Sequence, residues 1–272
     1  MEQNTAAKTN KKLAEFDALL VSYGNVIVAF SGGVDSTFLA ESARRALGEK
    51  AVAVTAISAS YPERELRAAR DIAKQIGIRF ETVNTDELDM EGYASNPENR
   101  CYFCKTELFT KLQPIAERYQ VGAIVYGAIP DDIGDYRPGM DAADRMGIKA
   151  PLIDVNLTKS EIREVSRQWG LPTWDKPAFA CLSSRFPHGM RITRDLLRQV
   201  DRAEQFLYDL GVRQFRVRHH GDLARIELEP DEIPIVATQS ARIQINERFK
   251  ELGYKYVTLD LQGYRAGNLN GD

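Results

Sequence analysis

The sequence predicts an α/β protein: a doubly wound, mostly parallel sheet, followed by a smaller C-terminal α+β domain. Three observations carry that prediction. Short apolar, β-rich runs alternate with helical stretches over the longer, N-terminal part of the chain. The first of those runs ends in a glycine-rich turn that opens directly into a helix. After about Pro187 the alternation gives way to a helix, two strands around a tight turn, and a further helix and strand.

Taken in order, Asn25 to Phe30 (NVIVAF) reads as a buried parallel strand, uniformly apolar because both faces of such a sheet are covered. The turn SGGVDS follows, then a helix whose apolar positions are Phe38, Leu39, Ala43, Ala46 and Leu47, closed by Gly48. Residues 51–58 (AVAVTAIS) form a second strand. Pro62 opens the next helix, apolar at Leu66, Ala69, Ile72, Ala73 and Ile76, and Gly77 closes it. RFETVN (79–84) and AIVYG (123–127) are further strands, with the segment RCYFCK (100–105) between them. Thr158 and Glu161 form a capping box ahead of another helix. In the last part a helix spans Thr193 to Leu210, and the strands QFRVRHH and LARIELE flank His220-Gly221-Asp222. A helix near 231–252 and the strand YKYVTLDL complete it. The expected organisation is a frayed, disordered tail over 1–12, a first domain over 13–186 and a second over 187–272.

Composition excludes several classes of function. Apolar residues make up 43% of the chain and charged ones 28%, and no run approaches the roughly 18 apolar residues of a membrane span. The opening MEQNTAAKTNKK has no apolar stretch, so it does not read as a secretory signal. Three cysteines, an odd number, point to a reducing cytoplasm rather than a disulfide framework. The net charge of −3 speaks against nucleic acid as a partner. Between Arg185 and Arg225, however, stand nine arginines, no lysine and five acids. Arginine grips phosphate or carboxylate bidentately, as lysine does not. A solvated helix face accounts for Arg194, Arg198 and Arg202.

The turn in VAFSGGVDS has the physics of an anion site. Gly32 and Gly33 let backbone N–H groups approach an anion without a Cβ in the way, Ser31 and Ser36 add hydroxyls, and the following helix points its positive end at the same place. Asp35 does not favour a bare phosphate; it implies a bridging Mg²⁺ or a role in holding the turn. SGGVDS resembles the PP-loop of the ATP pyrophosphatases, among them GMP synthetases, NAD synthetases and tRNA thiolation enzymes. The resemblance implies attack of a carboxylate or carbonyl oxygen on the α-phosphorus of ATP, with release of pyrophosphate and formation of an adenylate.

Cys101 and Cys104 lie three residues apart on one helical face. Their chemistry has four readings: a zinc site completed by His188, His219 or His220, a redox pair, two buried structural cysteines, or an iron–sulfur cluster held by three thiolates with Cys181. Several PP-loop thiolases combine a CxxC with one later cysteine. More closely, the chain resembles the LarE sulfurtransferases, which act on a pyridinium biscarboxylate mononucleotide. The resemblance runs along nearly the whole chain: VAFSGGVDS, GDYRPG (134–139), SSRFPHG (183–189), FRVRHHGDLARIE (215–227) and GYKYVTLDLQGYRAG (253–267).

That resemblance implies ATP, Mg²⁺ and a mononucleotide substrate, a homo-oligomer, and a product on the way to the nickel-pincer nucleotide of lactate racemase. In one branch of the family a single cysteine gives up its own sulfur; that position aligns with Ala180 here, one residue before Cys181. The departure fits the three-cysteine branch, in which Cys101, Cys104 and Cys181 hold a [4Fe-4S] cluster that carries the transferable sulfide and is reloaded by a sulfide donor. By the same resemblance Ser31, Gly32, Gly33, Asp35 and Ser36 form the pyrophosphate and Mg²⁺ site. Ser184 and Arg185 flank the reacting centre, with Arg185 stabilising charge at the α-phosphate. Arg216 and Arg218 clamp the substrate phosphate, and Glu204 matches a family acid of unassigned role. Asp131, Asp132 and Asp135 read equally as metal contacts or as a solvated acidic turn. Arg225 and Glu227 read as a surface cross-strand ion pair outside the site. Two rivals remain: a tRNA thiolase, which would need a broad positive face, and a non-catalytic nucleotide or cluster carrier.

Overall fold

A computed structural model describes residues 2–134 and 137–265, which divide into two compact units. The first comprises Met1–Ser58, Glu63–Glu87 and Cys101–Ala178; the second comprises Ala59–Pro62, Leu88–Arg100 and Phe179–Asp272. The division therefore falls between 178 and 179, ahead of the expected position 187, and two short excursions from the first half join the second unit. An excursion of this kind leaves no mark in periodicity, because it is defined by what it packs against.

The chain opens with α1 (Glu2–Tyr23), β1 (Val26–Ala29), α2 (Val34–Leu47), β2 (Ala51–Ile57), α3 (Glu63–Ile76) and β3 (Arg79–Asn84). The short α4 (Glu91–Ala94) belongs to the second unit. Then come α5 (Arg100–Tyr119), β4 (Ala123–Tyr126), α6 (Pro138–Arg145), α7 (Pro151–Asp154) and α8 (Lys159–Gln168). The four strands form an all-parallel sheet in the order β3-β2-β1-β4. Alternation along each strand feeds both faces. Val26 and Val28 enter a layer with Phe16 and Leu20 of α1, Phe38 and Leu39 of α2, and Ile72 of α3. Ile27 faces the other layer, with Phe109 and Leu112 of α5 and Ala143 of α6. Each of the large side chains buried in this way contributes about 1.5–3 kcal/mol. The strand order reverses between β1 and β4, so the crevice beyond their carboxyl ends is where this architecture receives ligands.

Within the tail expected to be frayed, residues 2–12 instead form the first half of α1. Alanine and lysine there are good helix formers, and the apolar series Leu13, Phe16 and Leu20 anchors the helix. Phe16 stacks on Phe38 at 5.9 Å, and Lys12 pairs with Glu161 at 2.7 Å. Among the described residues no helix is long and apolar enough to cross a membrane.

The second unit contains α9 (Arg194–Asp209), β5 (Phe215–His220), β6 (Leu223–Leu228), α10 (Ile233–Ala237), α11 (Gln239–Glu251) and β7 (Tyr256–Leu259). β5 and β6 pair antiparallel and β6 and β7 parallel. Leu207 of α9, Val217, Ile226, Ile245 and Phe249 fill the core of this sheet. A second cluster gathers Leu182, Phe186, Ile192, Leu197 and Val200. The single helix expected near 231–252 is two. It breaks at Thr238, whose hydroxyl accepts from Ala241 N and caps α11.

Candidate functional site

In the first unit, β1 delivers the chain to the turn Ser31–Gly33, and α2 begins at Val34. Gly32 has φ +62°, and a Cβ there would come 3.1 Å from the Ala69 backbone, so any other side chain would be strained and tightly packed. Ser31 N donates to Ser36 Oγ at 3.2 Å, and Ser36 Oγ donates to Gly33 O at 3.3 Å, which closes the turn on itself. Gly33 is the N-cap of α2 and supplies no side-chain acceptor to its first turn. The positive end of a helix of 14 residues is thereby left facing the crevice.

Three contributors escaped sequence reading. Lys159 Nζ lies 2.8 and 2.7 Å from the two oxygens of Asp35. Lys176 Nζ donates to Gly32 O at 3.0 Å and to Glu65 Oε2 at 2.8 Å, gripping the turn from outside. Gly127, just past β4, would put a Cβ 3.0 Å from Ser36 N, so its bareness lets the start of α2 run close across the end of β4. One signal was present: Lys159 is the first residue of α8, the helix end that repels a cation.

Burial above all raises the Asp35 carboxyl over its ordinary range; Lys159 works against that, and the charge of Asp132 adds to it. The neighbouring acids have structural employment. Asp131 Oδ2 accepts from Lys159 N at 3.0 Å, and Asp132 accepts from Ile129 N at 3.2 Å and pairs with Arg137 at 2.9 Å. Asp135 lies outside the described residues. The capping box is formed as expected: Thr158 N donates to Glu161 Oε2 at 2.9 Å, and Glu161 N to Thr158 Oγ1 at 3.4 Å.

Cys101 and Cys104 occupy the start of α5, the first exposed and the second half-buried, and none of the three cysteines is in a disulfide. Gly139 of α6 lies against this turn; a Cβ there would stand 3.5 Å from Cys101 O. Within either unit, among the described residues, no set of three or more His, Cys, Asp or Glu side chains is gathered as a metal site.

The second unit holds a buried charge cluster. Arg185 and Glu204 are both wholly buried and meet through two hydrogen bonds, Nε to Oε1 at 2.7 Å and Nη2 to Oε2 at 2.9 Å. Arg185 Nη1 also donates to Ala180 O, Cys181 O and Ser184 Oγ at 2.8, 3.1 and 2.8 Å. Glu204 Oε1 further accepts from Val217 N at 3.0 Å. The pair thus ties the loop 180–185 to β5, which gives Glu204 a role that the sequence left open. Tyr93 Oη meets Ser183 Oγ at 2.5 Å, and Arg100 Nη1 donates to Ser183 O at 3.0 Å, supporting the same loop from below.

Arg216 and Arg218 alternate on β5 and are both nearly buried. Arg218 Nε donates to Glu227 Oε2 at 2.9 Å and its Nη1 to Ser184 O at 2.7 Å. Arg216 Nη2 reaches Tyr264 Oη at 3.4 Å. Burial foremost, then the charge of Arg185, pushes the Arg216 guanidinium down to about 10. Burial disfavours the charged form, and the charge of Glu204 works against that shift. Glu227 is not on the surface. It is fully buried, joined to Arg218 across the strands and, at 3.1 Å, to Arg225 along its own strand. The surface reading failed because periodicity does not say which face of a small sheet is covered.

An open parallel sheet with a glycine turn at its reversal point, set with serines, an aspartate and two lysines, defines an ATP-binding α/β enzyme of the PP-loop class. Residues 18–106 match the NAD synthase family. The chain is 47% identical over 244 residues to an uncharacterized protein of Synechocystis sp., covering 90% of this chain and 91% of that one. It is 35% identical over 260 residues to pyridinium-3,5-bisthiocarboxylic acid mononucleotide synthase of Lactiplantibacillus plantarum, covering 95% and 94%. The chain belongs to that synthase family, ATP-using sulfurtransferases of the PP-loop class.

Proposed function

We propose that the protein activates a carboxylate of pyridinium-3,5-biscarboxylic acid mononucleotide with ATP and converts it to a thiocarboxylate, releasing AMP and pyrophosphate, in the biosynthesis of the nickel-pincer nucleotide. The observation that carries this reading is the glycine turn, where Gly33 caps α2 without a side-chain acceptor and leaves the positive end of the helix uncapped. Asp35, now paired with Lys159 at 2.7 Å, would hold Mg²⁺, and the cation would supply neutralisation of the polyphosphate's charge. Activation as an adenylate splits one hard substitution into two easier ones.

In the second unit Arg216 and Arg218 bind the phosphate of the mononucleotide. Their alternation on β5, which sets both guanidinium groups on one face of the strand, supports this. Arg185 and Glu204 hold the loop that carries Cys181 and Ser184, so the contribution of Arg185 is positional. The donor chemistry of Cys101, Cys104 and Cys181 suits a [4Fe-4S] cluster: three thiols outside any disulfide, two of them at i and i+3 on one helix. Such a cluster, when bound, supplies a sulfide on the iron that carries no cysteine. Oligomerisation, a dedicated sulfide donor and a cytoplasmic setting complete the proposal.

The test is anaerobic purification followed by assay of ATP with the biscarboxylate substrate. AMP and pyrophosphate should form only when the substrate is present, and the protein should be brown and hold about four irons per chain. Each of Cys101→Ala, Cys104→Ala and Cys181→Ala should lose the colour. Colourless active protein, with Cys181 converted to dehydroalanine by mass spectrometry, would replace the cluster with a sacrificial cysteine. A tightly held zinc would make the cysteines structural.

A further inference from the structure

We infer that the segment 93–100, with Asn96 at its centre, is a positioning brace that holds Cys181 and Ser184 in register for the transfer step. The inference deepens the reading of the loop 180–185 as part of the reacting centre and rests on it. Its starting point is one residue. Asn96 is wholly buried and has φ +56°, a left-handed conformation that suits glycine best and that asparagine tolerates. The backbone alone would favour glycine; the contacts need an amide. Asn96 Nδ2 donates to Pro187 O at 2.7 Å and to Phe186 O at 3.3 Å, which uses both of its protons. Its Oδ1 accepts from Arg100 Nη1, and its backbone carbonyl accepts from Gly189 N at 2.9 Å.

The neighbours of Asn96 extend the grip. Tyr93 Oη meets Ser183 Oγ at 2.5 Å, Arg100 Nη1 donates to Ser183 O at 3.0 Å, and Ile192 N donates to Ala94 O at 2.8 Å. Arg185 in turn engages Ala180 O and Cys181 O, and Arg218 engages Ser184 O at 2.7 Å. The carbonyls of residues 180, 181, 183, 184, 186 and 187 thus all accept from buried side chains. One short helical turn, Leu182–Arg185, is the regular part of this stretch. Its shape is therefore set by side chains gripping its carbonyls rather than by a ladder of backbone bonds. Such a device acts on rate more than on affinity. A displacement of about 1 Å at a reacting group, caused by a change far from the chemistry, can cost about a hundredfold in rate. Loss of the brace should accordingly lower kcat and leave KM for MgATP in place, whereas a merely structural contact would move the denaturation midpoint alone.

The experiment compares wild type, Asn96→Gly, Asn96→Asp and Tyr93→Phe in steady-state AMP formation from MgATP and the biscarboxylate substrate, without oxygen. Asn96→Gly keeps the left-handed backbone at ease and deletes the amide, so kcat should fall about ten- to a hundredfold with KM for MgATP unchanged. Asn96→Asp, which keeps the shape and loses both donors, should fall with the glycine variant. Tyr93→Phe removes one hydroxyl and should lower kcat by roughly two- to tenfold. Wild-type kcat in Asn96→Gly, or a rise in KM that matches the fall in kcat, would overturn the inference. Should the glycine variant fold poorly, Tyr93→Phe decides the point, and an unchanged kcat there sinks the brace. Full thiocarboxylate formation by both Cys181→Ala and Ser184→Ala would remove the loop from the reacting centre, and the inference with it. Loss of activity in those two variants beside a normal Asn96→Gly would leave that reading standing and overturn the brace alone.

Discussion

The phosphate turn and the arginine cluster treat charge in opposite ways. In the first unit Asp35 and Lys159 are 23% and 34% exposed, on the rim of a crevice; in the second, Arg185 and Glu204 are wholly buried. A partly exposed pair adds at most about 1 kcal/mol to stability and can be exchanged cheaply. A buried pair is different, because removing either partner strands the other in a medium that cannot solvate it. The pair at the turn therefore adds little to stability, whereas the buried pair is part of the fold. The cluster uses Arg185 and Glu204 as scaffold, tying the loop 180–185 to β5.

The largest effect should come from the turn and be purely functional. Asp35→Ala should reduce AMP formation by roughly a thousandfold or more, since it removes the metal's anchor, with the denaturation midpoint nearly unmoved. Normal Mg²⁺-dependent activity in this variant would take Asp35 out of the mechanism. Next comes the scaffold. Glu204→Ala should destabilise the fold by about 3–5 kcal/mol in urea titration, and Glu204→Leu combined with Arg185→Met should recover much of the loss. If the single variant costs less than the exchangeable Asp35 pair does, the contrast between the two regions fails.

A smaller change, in binding alone, is expected at β5. Arg216→Ala and Arg218→Ala should each weaken the mononucleotide roughly ten- to a hundredfold while leaving ATP affinity almost untouched. Equal losses for both ligands would mean that the clamp is misassigned. The smallest effect is electrostatic. The Asp35 carboxyl titrates above the 3.8 of an exposed one, chiefly because it is buried. Its ionised form is therefore the disfavoured one in the fold, and stability falls as pH rises from that value through the raised one. Asp35→Asn should be slightly more stable than wild type near neutrality, with the difference closing as pH drops below 3.8. A gap that widens toward acid would reverse the sign assigned to burial.

Legibility followed distance along the chain. SGGVDS could be read as a glycine turn opening a helix because its glycines and helix start lie within a few residues, and local backbone geometry is what glycine and helix ends control. The Thr158 capping box was readable for the same reason. Lys159 itself was not, since its partner Asp35 stands 124 positions away. Glu227 was misjudged as a surface group because alternation along a strand tells two faces apart without saying which is covered. The N-terminal tail was misread because polar composition was given more weight than the series Leu13, Phe16 and Leu20 that continues the helix.

By itself, then, the sequence determined the alternating α/β architecture, the glycine turn that opens α2 and the family motifs, all set by short-range periodicity and backbone preference. Only the tertiary structure decided the partners of the charges. It gave Asp35 to Lys159, Arg185 to Glu204 and Arg218 to Glu227, and it drew residues 59–62 and 88–100 into the second unit. The physical reason is that an ion's role depends on its solvation and its neighbours, and both are products of burial, which no local stretch of chain contains.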